Sequence, residues 1–173
     1  MANIRIILVL LAGTLALMLA LRVLDLPLRT ANAPEGIVSL ETAHTKEQVK
    51  AILDEWAAAD LLGQARIQIR LDFLFMPFYA LLFYMLCGTI SVRSIGLMSK
   101  AGVVLAFGSL LAALLDGAEN ILMLLSLRGS THTATAFLTT GCAYLKFLLL
   151  ALASLYIFPL GTWMLCRKLT LWW

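Results

Sequence analysis

The stretch Leu114-Leu115-Asp116-Gly117-Ala118-Glu119-Asn120-Ile121-Leu122-Met123 decides how the chain is read. It places two carboxylates and an amide inside a run that is otherwise apolar from Ala101 to Leu127. About 20 apolar residues suffice to cross a bilayer as a helix. Asp116, Glu119 and Asn120 are spaced i, i+3, i+4, so on that helix they share one face. A carboxylate facing lipid costs at least about 2.5–3.5 kcal/mol. These groups therefore face protein or a water cavity and need partners.

The rest of the composition agrees with a membrane setting. The chain has 173 residues, of which 62% are hydrophobic and 13% charged, with a mean hydropathy of +0.94. A soluble domain carries about 25% charged residues, so a single integral membrane domain over residues 1–173 is expected. The formal net charge is +3 without a basic tract, which gives nucleic-acid binding no support. Cys87, Cys142 and Cys166 form no CxxC pair and no metal-ligand spacing, and read as small buried hydrophobes. No metal site, cofactor motif or catalytic motif such as HExxH or GxSxG is present. His44 and His132 lie outside the spans and read as solvated or capping residues.

Four apolar runs predict spans over about 4–24, 71–92, 101–127 and 134–160. The first is longer than a signal-peptide core of about 7–15 residues and is expected to be a retained helix. Pro27 and Ala31-Asn32-Ala33-Pro34-Glu35-Gly36 open a polar loop. Thr45 and Gln48 then have capping-box spacing. Val49, Ile52, Leu53 and Trp56 mark the apolar side of an amphipathic helix over about 46–62, ending near Gly63. That helix is expected on the membrane surface or on the end of the bundle, with Trp56 at the interface. Arg66 and Arg70 precede the second span and are placed to snorkel to head groups. Pro77 is expected to kink or locally open that span. Its aromatic stripe, which includes Tyr79, reads as packing. Ser109, Ala113 and Gly117, with Gly108 and Ala112, form small-residue faces suited to close helix contact. Pro159 and Gly161 loosen the end of the fourth span, and Trp163, Arg167, Lys168, Trp172 and Trp173 read as an interfacial anchor. The fold class is all-α: a four-helix transmembrane bundle with an extra amphipathic interfacial helix between spans one and two.

The turn at Arg128 to His132 makes spans three and four antiparallel neighbours. Asp116 lies 14 residues before Ser130 and Lys146 lies 15 after Thr131. At about 1.5 Å per residue both sit roughly 21–23 Å from the turn, at one depth. Cys142 and Lys146 are i, i+4 on one face. Lys146 is too deep to snorkel and is expected within about 4 Å of Asp116 or Glu119. One lysine cannot neutralise both acids, so the second carries a proton or is held by Asn120, a tyrosine or water. Asp72 is a further candidate, expected nearer the outer surface beside Arg66 and Arg70. The candidate site is thus Asp116, Glu119, Asn120, Lys146, Cys142 and Asp72.

These groups support two readings, glue that fixes helix register or a ligand or proton site within the bundle. The first choice is a non-enzymatic accessory subunit or binder of a lipid-like ligand. The alternative is a small proton-coupled transporter using Glu119, Asp116 and Lys146, and a membrane-embedded enzyme is weaker. Membrane lipids are the expected partners, with a larger membrane complex or a homo-oligomer open. Arg5, Arg93, Lys100, Arg167 and Lys168 would flank the inner face if both termini are cytoplasmic, while the outer short loop carries only Arg128.

Leu71-Asp72-x-x-Phe75, Asp116-x-x-Glu119-Asn120 and Lys146-Phe147, with the loop from Gly36 to Trp56, resemble a group of small, functionally uncharacterised bacterial four-span membrane proteins. The likeness takes in residues 36 to 158. It implies four spans with a shared polar core in a bacterial inner membrane, and it carries no activity, cofactor or substrate.

Overall fold

A computed structural model describes residues 3–170, with side chains described through residue 162. The chain is a multi-pass, all-α membrane protein with no strand among the described residues. Helix α1 runs Ile4–Asp25 and passes into a 3-10 turn, Leu26–Leu28. Two short helices follow, α2 (Ile37–Glu41) and α3 (Lys46–Ala58). Three long helices complete the chain: α4 (Leu62–Arg93), α5 (Gly96–Ser126) and α6 (Thr133–Thr170). Among the described residues, α1, α4, α5 and α6 are the helices long and apolar enough to span a membrane.

Helix α5 packs between α4 and α6, and α1 lies on the other side of α4. Small residues set the close approaches. Gly13 of α1 faces the ring of Phe78 on α4, where a Cβ would collide with it. Gly117 presents its bare backbone toward Met76 of α4, and Gly108 toward Leu149 of α6. The small-residue rows of α5 therefore serve two neighbours, one on each side.

Several boundaries differ from the sequence expectation. The amphipathic helix stops at Ala58, well short of residue 62. Asp60 adopts φ +57°. The N–H of Leu61 donates to Trp56 O at 2.8 Å and that of Asp60 to Ala57 O at 3.2 Å. This is the Schellman pattern, with an aspartate in the left-handed position that glycine usually fills. The chain reverses there, and Gly63 falls inside the first turn of α4, which starts a full two turns before residue 71. Helix α4 is continuous through Pro77, and α6 through Pro159 and Gly161. The link between α4 and α5 shrinks to Ser94 and Ile95, so Lys100 belongs to α5. The anchor expected from Trp163, Arg167, Lys168, Trp172 and Trp173, and the third cysteine, Cys166, lie outside the residues whose side chains are described.

Helix α3 does carry the expected capping box: Gln48 N donates to Thr45 Oγ1 at 3.2 Å and Thr45 N to Gln48 Oε1 at 3.3 Å. Trp56, however, is not an interfacial residue. It is 0% exposed and its Nε1 donates to Leu28 O at 2.9 Å. A buried indole needs a partner for its N–H, and the carbonyl of the 3-10 turn supplies it. Around Trp56, residues Leu28, Leu40, Val49 and Ile52 pack onto Ile69, Met123 and Leu127. Helices α2 and α3 thus form a cap with its own apolar core, seated on one end of the bundle. Arg66 is also spent differently from expectation: its Nη2 donates to Leu127 O at 3.3 Å. A guanidinium on the last carbonyls of α5 satisfies an orphan acceptor and complements the helix dipole.

Candidate functional site

The polar face of α5 meets α4 on one side and α6 on the other. Lys146 of α6 is 5% exposed. Its Nζ lies 2.7 Å from Asp116 Oδ1 and 3.0 and 2.9 Å from Glu119 Oε1 and Oε2. The equal depth of residues 116 and 146 about the antiparallel turn is therefore realised, and the lysine straddles both acids. Pairing of this kind offsets the cost of taking each charge out of water. The ring of Phe147 stands 5.0 Å from the ammonium and adds a cation–π contact.

Asp116 has a second partner. Tyr79 of α4 donates its O–H to Oδ2 at 2.8 Å. Asn120 donates its amide to Asp72 Oδ2 at 2.6 Å and lies 3.9 Å from Met76 Sδ. Asp72 thus pairs with Asn120 on the polar face of α5, and neither Arg66 nor Arg70, beside which it was expected, forms an ion pair with it among the described residues. Cys142 is partly buried and makes no hydrogen bond among the described residues, so it stands beside the cluster rather than in it. Cys87 is fully buried against Ile90 and Tyr156 at the other end.

Two elements of the site were not foreseen. Tyr79 was hidden in an aromatic stripe, yet it lies seven residues after Asp72 and shares its helix face with Met76 between them. Asking what else lies on the face of Asp72 finds it. Glu41 gave no such signal. It ends the five-residue α2, reads as a loop charge, and is 8% exposed with Oε2 3.5 Å from Lys146 Nζ. Burial pushes its carboxyl above the ordinary glutamate range, and attraction to Lys146 only partly offsets this.

Helix α2 is held over the cluster by Asp25 at the end of α1. Asp25 Oδ1 accepts from Ile37 N at 2.8 Å and Gln68 Nε2 at 3.3 Å, and Oδ2 accepts from Arg29 Nε at 3.2 Å. Gly36 makes this possible. Its φ is +59° and its missing Cβ leaves room for the Asp25 carboxylate.

A cavity of about 190 Å³ opens between α1, α2, α4 and α5. Glu41, Gln68, Asp72 and Asn120 give it a polar side, while Met18, Leu21, Ile37, Val38 and Ile69 give it an apolar one. Arg22 and Asp25 also line it. Among the lining residues, Gln68 Oε1 is buried and has no hydrogen-bond donor among the described residues, while Glu41 Oε2 has the Lys146 ammonium at 3.5 Å. Among the described residues, no group of three or more His, Cys, Asp or Glu is placed to hold a metal ion. No family model, no curated protein and no solved structure matches the chain.

Proposed function

We propose that the protein is a non-enzymatic membrane binder of a lipid-like ligand, with the ligand's polar head at the acidic cluster. The observation that carries this reading is the cavity of about 190 Å³ with one polar and one apolar side. An engineered cavity of about 150 Å³ holds benzene, so this one accommodates a head group and the first few carbons of an amphiphile. The rest of the ligand would lie along α1, whose Met18 is 51% exposed beside the mouth. A concave, mostly apolar site with a few placed polar groups is the usual form of a small-molecule site.

The same reading places both termini in the cytoplasm of a bacterial inner membrane, with the α2–α3 cap outside. It rests on the short loops, which weigh most in setting orientation: Arg93 and Lys100 stand at the opposite end of the spans, against Arg128 at the cap end. The protein acts alone, as a homo-oligomer or as an accessory subunit of a larger complex, and its immediate partners are membrane lipids.

Purification of the full chain in mild detergent, followed by mass spectrometry of the retained amphiphiles, tests the binding. One amphiphile per chain, enriched over the bulk extract, is expected. Met18→Trp and Leu21→Trp, which fill the mouth, should each lower its occupancy. Retention that mirrors the bulk lipid in the parent and in both variants would overturn the reading.

A further inference from the structure

Resting on that reading, we infer that the ligand's head pairs a primary ammonium with an adjacent phosphodiester, as in an ethanolamine-headed phospholipid. Three observations fix the two charges and their order. First, the deep side of the cavity accepts hydrogen bonds and does not donate them. Gln68 is 4% exposed, its Nε2 is used by Asp25, and its Oε1 has no donor. Glu41 Oε2 has only the Lys146 ammonium, at 3.5 Å. The Asn120 amide, the nearest neutral donor on the lining, is taken by Asp72. A head group with several N–H donors completes these partners, and an anionic or purely acceptor head does not.

Second, the charge balance has the same sign. Glu41, Asp72, Asp116 and Glu119 gather around a single lysine, Lys146, whose pairs are to Asp116, Glu119 and Glu41. Asp72 has no cationic partner among the described residues. An ammonium entering beside Asp72 supplies one, in a medium where an unpaired carboxylate is costly.

Third, the positive charge of the lining is at the mouth. Arg22 is in the last turn of α1, is exposed, and makes no ion pair among the described residues. Arginine matches the geometry of a phosphate group. Its place near the end of a spanning helix is the depth of the lipid phosphates. An amine inside and a phosphate at the rim is the order of groups in a phospholipid whose head folds inward, with its acyl chains left along α1.

The choline head separates hydrogen bonding from charge, since a trimethylammonium keeps the charge but has no N–H. The glycerol head keeps the phosphate and removes the cation. The test uses the purified full chain in detergent and native mass spectrometry with three lipids of identical acyl chains bearing ethanolamine, choline or glycerol heads. Retention of the ethanolamine lipid about tenfold more tightly than either other is expected, the size of one lost hydrogen bond to a charged group. Gln68→Leu should shrink the margin over choline. Arg22→Gln, at an exposed position that does not endanger folding, should weaken all three phospholipids but leave a long-chain alkylamine unchanged. Choline or glycerol lipid within about twofold of ethanolamine, a difference of under half a kcal/mol, would overturn the head-group assignment while leaving the cavity as a binding site. No retention of any lipid or amine above a detergent control would instead sink the binding reading itself.

Discussion

Lys146 and Asp116 meet at 2.7 Å across the α5–α6 interface, although 30 residues separate them in the chain. The contact closes a continuous polar path from Tyr79 on α4, through Asp116, to Lys146, and onward to Glu119 and Glu41. Three spanning helices and the cap thus share one charged centre.

Breaking that centre from the cationic side should be costly. Lys146→Met leaves Asp116 and Glu119 without their shared counter-charge. Removal of one partner of a buried ion pair typically costs about 3–5 kcal/mol. We expect a loss of that order in reversible unfolding in mixed micelles. Adding Asp116→Asn to Lys146→Met should recover part of it, because one orphaned charge is gone. A Lys146→Met protein as stable as the parent would show that the pairs contribute nothing net.

The cap makes a second test. In Gly36→Ala the new methyl group collides with the Asp25 carboxylate and the backbone keeps a φ of +59°. Helix α2 should then leave its seat, and Glu41 should lose contact with Lys146. Gly63→Ala is the control, since a Cβ there meets nothing within 4 Å and the position is helical. Alanine is favoured over glycine by up to about 1 kcal/mol in a helix interior, so Gly63→Ala should be neutral or mildly stabilising. Protease sensitivity between residues 30 and 45 reads the difference. Equal protection in both variants would mean that Gly36 does not position α2.

Much of this arrangement is legible in the chain because the bilayer restricts the choices. Long apolar runs announce α1, α4, α5 and α6. One short turn then brings residues 116 and 146 to the same depth by counting alone. The positions of Glu41 and Trp56 are not legible in that way. Glu41 lies in a five-residue helix too short for periodicity to orient a side chain, and although Trp56 reads as part of an apolar face, what that face packs against depends on how the cap folds back over the bundle. Leu28 O and Lys146 are distant partners that no local pattern specifies. The early end of α3 was hidden for a different reason: Asp60 takes the left-handed position two residues past Ala58, where the eye goes to Gly63.

The cap also carries a carboxylate whose protonation can be followed. Glu55 on α3 holds the 30–32 turn, accepting from Asn32 N at 2.9 Å, Thr30 Oγ1 at 2.8 Å and Ala31 N at 3.2 Å. These bonds, led by the Asn32 amide, keep its carboxyl below the ordinary glutamate value of 4.5. A carboxylate that binds its proton less readily when folded stabilises the folded state above its unfolded pKa. That contribution fades as the pH falls from about the ordinary value through the lowered one. Other acids titrate in the same range, so the comparison is between the parent and Glu55→Gln, in which they cancel. The parent should melt higher at neutral pH, since a neutral amide offers one acceptor where the carboxylate offers two stronger ones. The gap should hold down to about pH 5 and narrow progressively below about 4.5, the ordinary range for a glutamate. Thermal unfolding of both proteins between neutral and acidic pH measures it, and a gap that widens on acidification would show that Glu55 holds the turn in its protonated form.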